Sequence, residues 1–224
     1  IDLYAGLGGW TEGLLAEGYR VVGFDLERHV YGEARYPAQL VLQDVLTLHG
    51  SQFREAALIV ASPPCQAYSY RAMPWKRAKA LPPPDNTLFE ACFRIQREAC
   101  EAAGHHIPLV VENVCGAQKW VGRARWHSGP YYFWGDVPAL MPIGGFAKQP
   151  GHWFKDSGTA SGSARFGSKS PQRKAWSATV AKIPLELSTW IARCFKPTSS
   201  PIASPAKCMS ASPAEPFGSD GMSM

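Results

Sequence analysis

A cysteine on a proline-braced turn, Pro63-Pro64-Cys65-Gln66, follows directly on the apolar run Ala57–Ala61. That is where a nucleophile would be mounted: the prolines restrict the backbone, and a turn at a strand end favours exposure. Polar Gln66 and Ser69 follow, and neighbouring N–H groups or cations help a thiol to ionise. Taken alone, a single thiol is more often a small buried hydrophobe. Its company argues otherwise. Glu112 ends the apolar run Ile107–Val111, and a carboxyl at the mouth of a buried strand can hold its proton near neutrality, because apolar surroundings disfavour the charged form. Asn113 beside it can brace the loop through side-chain to backbone bonds.

Upstream, Asp2-Leu3-Tyr4-Ala5-Gly6-Leu7-Gly8-Gly9-Trp10 reads as a strand entering a Gly-x-Gly-Gly turn and then a helix. Glycines there permit a tight turn and close approach of a ligand to the backbone, and the pattern alone suits any nucleotide cofactor, a nicotinamide included. Asp25 closes the strand Val21–Phe24, and Asp44 follows Val41-Leu42-Gln43. An acid at the first position can accept from the two hydroxyls of a ribose, one at the second from an adenine amino group. Each is equally well read as a helix cap.

The elements that must position these groups alternate. Strands are expected at Ile1–Tyr4, Tyr19–Asp25, Gln39–Leu42, Leu58–Ala61 and Ile107–Glu112, with helices at Trp10–Glu17, Asn86–Ala103 and, opened by Pro184 in its first turn, Pro184–Phe195. Alternation implies right-handed crossovers, a parallel sheet and a ligand site at the carboxyl ends of the strands, where all the candidate residues fall. From about Trp120 the chain turns rich in Gly, Pro, Trp and Tyr, then basic and loop-like. The expected division is a catalytic domain of 1–130 plus 177–196, a small lobe over 131–176, and a Ser/Pro/Ala/Met-rich disordered tail over 197–224.

The 224 residues allow one sizeable core, and the apolar fraction of 46% with 18% charged residues is ordinary for a soluble protein. The longest apolar runs reach about half a dozen residues, against the ~20 a membrane span needs, and no secretory signal is read at Ile1. Six cysteines without a Cys-x-x-Cys pair or Cys/His clusters point to neither a disulfide scaffold nor a zinc site. The net charge of +5 is uneven: residues 117–176 carry nine Lys/Arg against two Asp, leaving −2 for the remainder. Arg71, Lys76, Arg77 and Lys79 form a second basic cluster without an acid. Basic stretches interleaved with aromatics and glycine suit nucleic-acid phosphates, although any one cluster suits a solvated face equally well.

The ordered set Asp2–Trp10, Asp25, Asp44, Pro63–Ser69, Asp85–Arg94, Glu112–Val114 and Ala181–Ala192 resembles the DNA cytosine-5 methyltransferases, nearest to small phage-encoded ones. The resemblance runs from residue 1 to about 196; Pro64-Cys65-Gln66-x-x-Ser69 with Glu112-Asn113-Val114 is its specific part. It implies an α/β, Rossmann-like S-adenosylmethionine-dependent methyltransferase fold with a small, loop-rich recognition lobe. Tyr4, Ala5, Gly6, Leu7, Gly8, Gly9 and Trp10 would cradle the methionine end of S-adenosyl-L-methionine, Asp25 and Leu26 the ribose and adenine, and Asp44 and Val45 the adenine. Pro64, Leu88, Ala181 and Lys182 would complete the pocket. Cys65 would add to cytosine carbon 6 while Glu112 engages ring nitrogen 3.

The resemblance further implies nucleic-acid contacts from Gln66, Ser69, Arg71, Lys76, Arg77, Lys79, Arg165 and Arg173, with Tyr70–Leu81 closing over a flipped base. Gly122-Arg123-Ala124-Arg125 arrives early and lacks the family's glutamine, so Arg123 and Arg125 stand as candidates for the arginine that touches cytosine. The implied partner is double-stranded DNA, and the implied enzyme is monomeric, metal-free, cytoplasmic and bacterial or phage-encoded. A transfer-RNA substrate and a non-catalytic binding role are the alternatives.

Overall fold

The computed structural model describes residues 1–69, 82–142 and 170–197. Strands β1 (Asp2–Leu3), β2 (Val22–Asp25), β3 (Val30–Tyr31), β4 (Ala34–Arg35), β5 (Gln39–Leu42), β6 (Ile59–Ala61), β7 (Leu109–Asn113), β8 (Trp126–Ser128) and β9 (Tyr131–Gly135) are joined by helices α1 (Gly9–Ala16), α2 (Thr87–Ala103), α3 (Gln118–Val121), α4 (Pro171–Ala181) and α5 (Leu185–Cys194). Seven strands form one sheet in the order β5-β2-β1-β6-β7-β9-β8. It is parallel from β5 to β7, and β9 runs antiparallel between β7 and β8. The result is an α/β, Rossmann-like fold.

Continuous apolar runs make the centre of the sheet because both of its faces are covered. Ile59, Val60, Leu109, Val110 and Val111 are wholly buried. Alternate residues face opposite ways: Ile59, Ala61, Leu109 and Val111 join Phe89, Cys92 and Ile95 of α2, while Val60 and Val110 join Trp10 and Leu14 of α1 and Leu187 and Ile191 of α5. On α2 the buried positions Phe89, Cys92, Ile95 and Ala99 recur at helical spacing, and the helix stops at Gly104, left-handed with φ 71°, whose N–H returns to the Cys100 carbonyl. Helices α1 and α5 pack so closely that a Cβ on Gly13 would lie 2.4 Å from Thr189 N.

The expected strands and helices are present, with ends shifted by at most three residues. β3, β4, β8 and α3 come in addition to the expected set, and two further stretches differ from expectation. Tyr131–Gly135, expected in the separate lobe, is β9 of the main sheet, paired with β7 from Val110↔Gly135 to Asn113↔Tyr132; its Tyr131 and Phe133 belong to the core. The end of the basic stretch, expected as loop through Lys174, begins α4, capped by Ser170 Oγ accepting from Arg173 N at 3.2 Å. Any lobe therefore starts beyond Gly135. Residues 143–169 of the expected lobe, Arg165 among them, lie outside the described residues, as do residues 198–224 of the tail and the loop carrying Arg71, Lys76, Arg77 and Lys79. Among the described residues no helix is long and apolar enough to cross a membrane.

Candidate active site

Two turns leave the carboxyl ends of the adjacent parallel strands β1 and β6. The first bends at Tyr4 (φ 61°), Gly6 (φ 52°) and Gly8 (φ 79°), all left-handed. Gly8 N–H donates to the Ala5 carbonyl at 2.8 Å, and Gly6 N–H to Asp25 Oδ2 at 2.8 Å, which pins the turn to the end of β2. Beneath it the Asp2 carboxylate, 1% exposed, accepts from Thr11 Oγ1 at 2.6 Å and so ties β1 to α1. Burial pushes that carboxyl up to about 7, against the pull of the Thr11 and Tyr36 hydroxyls.

The second turn carries Cys65, at φ −91° and ψ −2°, followed by a 3-10 turn over Gln66–Tyr68. Its carbonyl accepts from Tyr68 N–H at 3.0 Å and from Ser69 Oγ at 2.9 Å. Buried Asn113, at the end of β7, donates from Nδ2 to the Pro63 carbonyl at 2.9 Å, while its Oδ1 accepts from Val114 N–H. Tyr68 OH reaches Asn86 Oδ1 at 2.9 Å, fixing the turn to the start of α2. Glu112 precedes Asn113 and points to the opposite face, where Ser62 Oγ donates to its Oε2 at 3.1 Å. The same Ser62 oxygen accepts from Trp10 Nε1 at 3.1 Å. Half-buried Cys65 and Glu112 thus belong to the carboxyl ends of paired strands, and Ser62, three residues before Cys65, is bonded to Glu112.

Between the first turn and the chain leaving α4 lies a cleft of about 210 Å³, lined by Tyr4, Ala5, Gly6, Leu7, Gly9, Trp10, His29, Ser62, Ala178, Ala181, Lys182 and Ile183. Its features fit S-adenosylmethionine. A Cβ on Gly6 would meet only Tyr4 O, at 3.9 Å, so the backbone is bare toward the cleft. Asp25 keeps acceptor capacity: among the described residues its Oδ1 has the long contacts to Glu27 N (3.4 Å) and His29 Nε2 (3.6 Å). Leu26, 72% exposed, offers an apolar surface beside it.

Other expected residues, Gly9, Ala181 and Lys182 of the cleft lining among them, have these surroundings. Gly8 and Gly9 serve packing, since a Cβ would lie 2.5 Å from Pro37 Cδ and 2.6 Å from Ile183 N respectively. Val45 is 2% exposed, so its side chain belongs to the core. Asp44 caps the 3-10 turn Val45–Thr47, accepting from Leu46 N–H at 2.9 Å. Leu88 offers its carbonyl to Tyr4 OH at 2.7 Å, and Lys182 Nζ pairs with Glu12. Ala181, Pro64 and Gln66 are exposed; Ser69 is spent on the Cys65 carbonyl. Arg173 sits in the first turn of α4. Arg123 and Arg125 are exposed ahead of β8; Arg125 N–H donates to the Phe133 carbonyl, two strands out from Glu112. Sequence reasoning missed Ser62 and His29, whose only signals were a hydroxyl just before Pro63 and an imidazole four residues after Asp25.

Known proteins bear on this geometry. No curated protein matches the chain significantly. Solved structures similar to it include a mutant of Spodoptera frugiperda DNMT2 (19% identity, TM-score 0.35, covering 53% of this chain and 36% of that one). Another is the S. pombe Dnmt2 methyltransferase (18% identity, TM-score 0.35, 53% and 35%). The chain thus spans about a third of the length of either. A family model described as C-5 cytosine-specific DNA methylase matches residues 1–119, more than half of the chain, from the glycine turn through Cys65 to Glu112. The chain belongs to the C-5 cytosine-specific DNA methylases.

Proposed function

We propose that this protein transfers a methyl group from S-adenosyl-L-methionine to carbon 5 of cytosine in double-stranded DNA. The observation that carries the reading is that Ser62, which opens the turn bearing Cys65 and lines the cleft, donates to Glu112 near the end of the neighbouring strand β7. Gly6, Asp25 and Leu26 would hold the cofactor, which when bound supplies an electrophilic methyl group. Carbon 5 of cytosine is a poor nucleophile. Addition of the Cys65 thiolate to carbon 6 turns the ring into an enamine, and Glu112 hydrogen-bonded at nitrogen 3 offsets the charge that builds there. Loss of the proton on carbon 5 to a base then expels Cys65 as a thiolate. The base must leave the stack first, at a cost of a few kcal/mol that protein contacts have to offset. The basic residues of the stretches 71–79 and 117–176 would supply those contacts.

The test is incubation with methyl-labelled S-adenosylmethionine and mixed-sequence duplex DNA, with transfer RNA in parallel, and mass spectrometry of the digested nucleosides. The expected product is 5-methylcytosine from DNA, absent with Cys65→Ala while DNA binding by that variant persists. Product from RNA alone would transfer the reading to that substrate; cofactor binding without product from either would leave a non-catalytic binding protein.

A further inference from the structure

Trp10 Nε1 can only donate, so the Ser62 hydroxyl that receives it has its own single proton to direct elsewhere. The atom in reach is Glu112 Oε2, at 3.1 Å. The chain of bonds therefore has one direction, from indole to hydroxyl to carboxyl. Each end is anchored: Trp10 is 3% exposed and packs edge-on against Phe133, 5.8 Å between centroids, and Phe133 is the cross-strand partner of Glu112. Trp10 and Ser62 both line the cleft assigned to the cofactor. We infer that Ser62 is a positioning residue that fixes the rotation of the Glu112 carboxyl and keeps Oε2 an acceptor, so that the proton offered to the target base is carried on the other carboxyl oxygen. The inference rests on the methyl-transfer reading for its meaning in catalysis, though not for its test.

A donor aimed at Oε2 favours the ionised carboxylate over the acid. Titratable groups on the elements packed around Glu112 include Tyr131 and Tyr132 on β9, the Tyr131 phenol pushed up first by burial and then by Glu112, Cys65 on the turn after β6, and the Lys182–Glu12 pair between the end of α4 and α1. Removing the Ser62 hydroxyl while these stay in place has two opposed effects. The carboxyl loses its orientation, so the plateau of kcat/KM falls roughly 10- to 100-fold, the range that one hydrogen bond to a charged group supports. Its acid form meanwhile persists to higher pH, so the high-pH limb of the profile moves upward by about one to two units. A purely structural role would lower the plateau and leave the limb where it was.

The decisive measurement needs neither cofactor nor DNA. In protein labelled at glutamate carboxyl carbons, the resonance lost in Glu112→Gln is followed against pH in wild type, Ser62→Ala and Ser62→Thr. A higher midpoint in Ser62→Ala, with the wild-type value kept in Ser62→Thr, is expected; the same midpoint in all three overturns the inference. In the unsubstituted protein the Trp10 indole N–H resonance should titrate with Glu112 and stop doing so in Glu112→Gln, and a flat indole resonance overturns it equally. A shifted midpoint in a protein that makes no 5-methylcytosine sinks the methyl-transfer reading and leaves the hold of Ser62 on Glu112 standing.

Discussion

The turns after β1 and β6 spring from paired strands, Leu3 opposite Ala61, yet they are held by opposite means. The first is shaped by backbone angles and by missing side chains: Tyr4, Gly6 and Gly8 are left-handed, and Pro37 and Ile183 fill the space a Cβ would need at Gly8 and Gly9. The second lies in ordinary backbone space at Cys65 and is held by side-chain bonds from Asn113, Ser69 and Tyr68. The glycine turn is thus defined by what cannot be added. The cysteine turn is defined by what cannot be removed.

Substitutions that add atoms to the first turn and delete bonds from the second should separate these two modes. Gly9→Ala comes first: its Cβ would fall 2.6 Å from Ile183 N and 3.1 Å from Lys182 Cα, both backbone, so one segment must move. A loss of about 3 kcal/mol in denaturant unfolding is expected, the upper range for overpacking; an unchanged midpoint would remove packing as the reason for that glycine. Next, Asn113→Ala strips the Pro63 carbonyl and Val114 N–H of their partner in a buried place. About 2–3 kcal/mol should be lost, with methyl transfer reduced at saturating cofactor. Full activity in a folded variant would show that the Cys65 turn holds itself.

A third prediction concerns pH. Burial raises the Asp2 carboxyl to about 7, above the ~3.9 of an unfolded chain, so the stability that its protonated form contributes is complete below about 4 and is lost as pH rises through 7. Between pH 5 and 7 the wild type should lose about 2 kcal/mol more than Asp2→Asn. Parallel stability curves would mean that the Thr11 hydroxyl keeps Asp2 ionised throughout. The smallest effect is expected for Tyr4→Phe, which keeps the left-handed backbone and deletes only the bond to the Leu88 carbonyl. About 1 kcal/mol in thermal unfolding is the expected loss, and a gain in stability would show the hydroxyl strained rather than satisfied.

Much of the parallel half was legible because its signals are local. Apolar runs of strand length, a helix with one apolar face and an acid or a turn at each strand end recur in sequence order, and Gln39–Leu42 is a strand with the expected bounds. The antiparallel edge was not. Tyr131–Gly135 joins a sheet whose other strands lie earlier in the chain, and its Tyr/Phe/Trp/Gly composition suits a loop-rich lobe as well as a core strand. The helix Pro171–Ala181 has a mixed polar surface and little periodicity to announce it.

What the sequence determined by itself was the set of candidate groups: a cysteine on a proline-braced turn, a carboxyl at a strand mouth, and a glycine turn with an acid nineteen residues on. Those choices are written in residue types that few other roles demand together. What only the tertiary structure decided was which groups touch. Ser62 becomes the link between Trp10 and Glu112 because β6 lies beside both β1 and β7, and Gly8 and Gly9 turn out to be packing positions because Pro37 and Ile183 arrive from elsewhere in the chain. Contacts between residues 50 or more positions apart depend on strand order and register, which no local pattern carries.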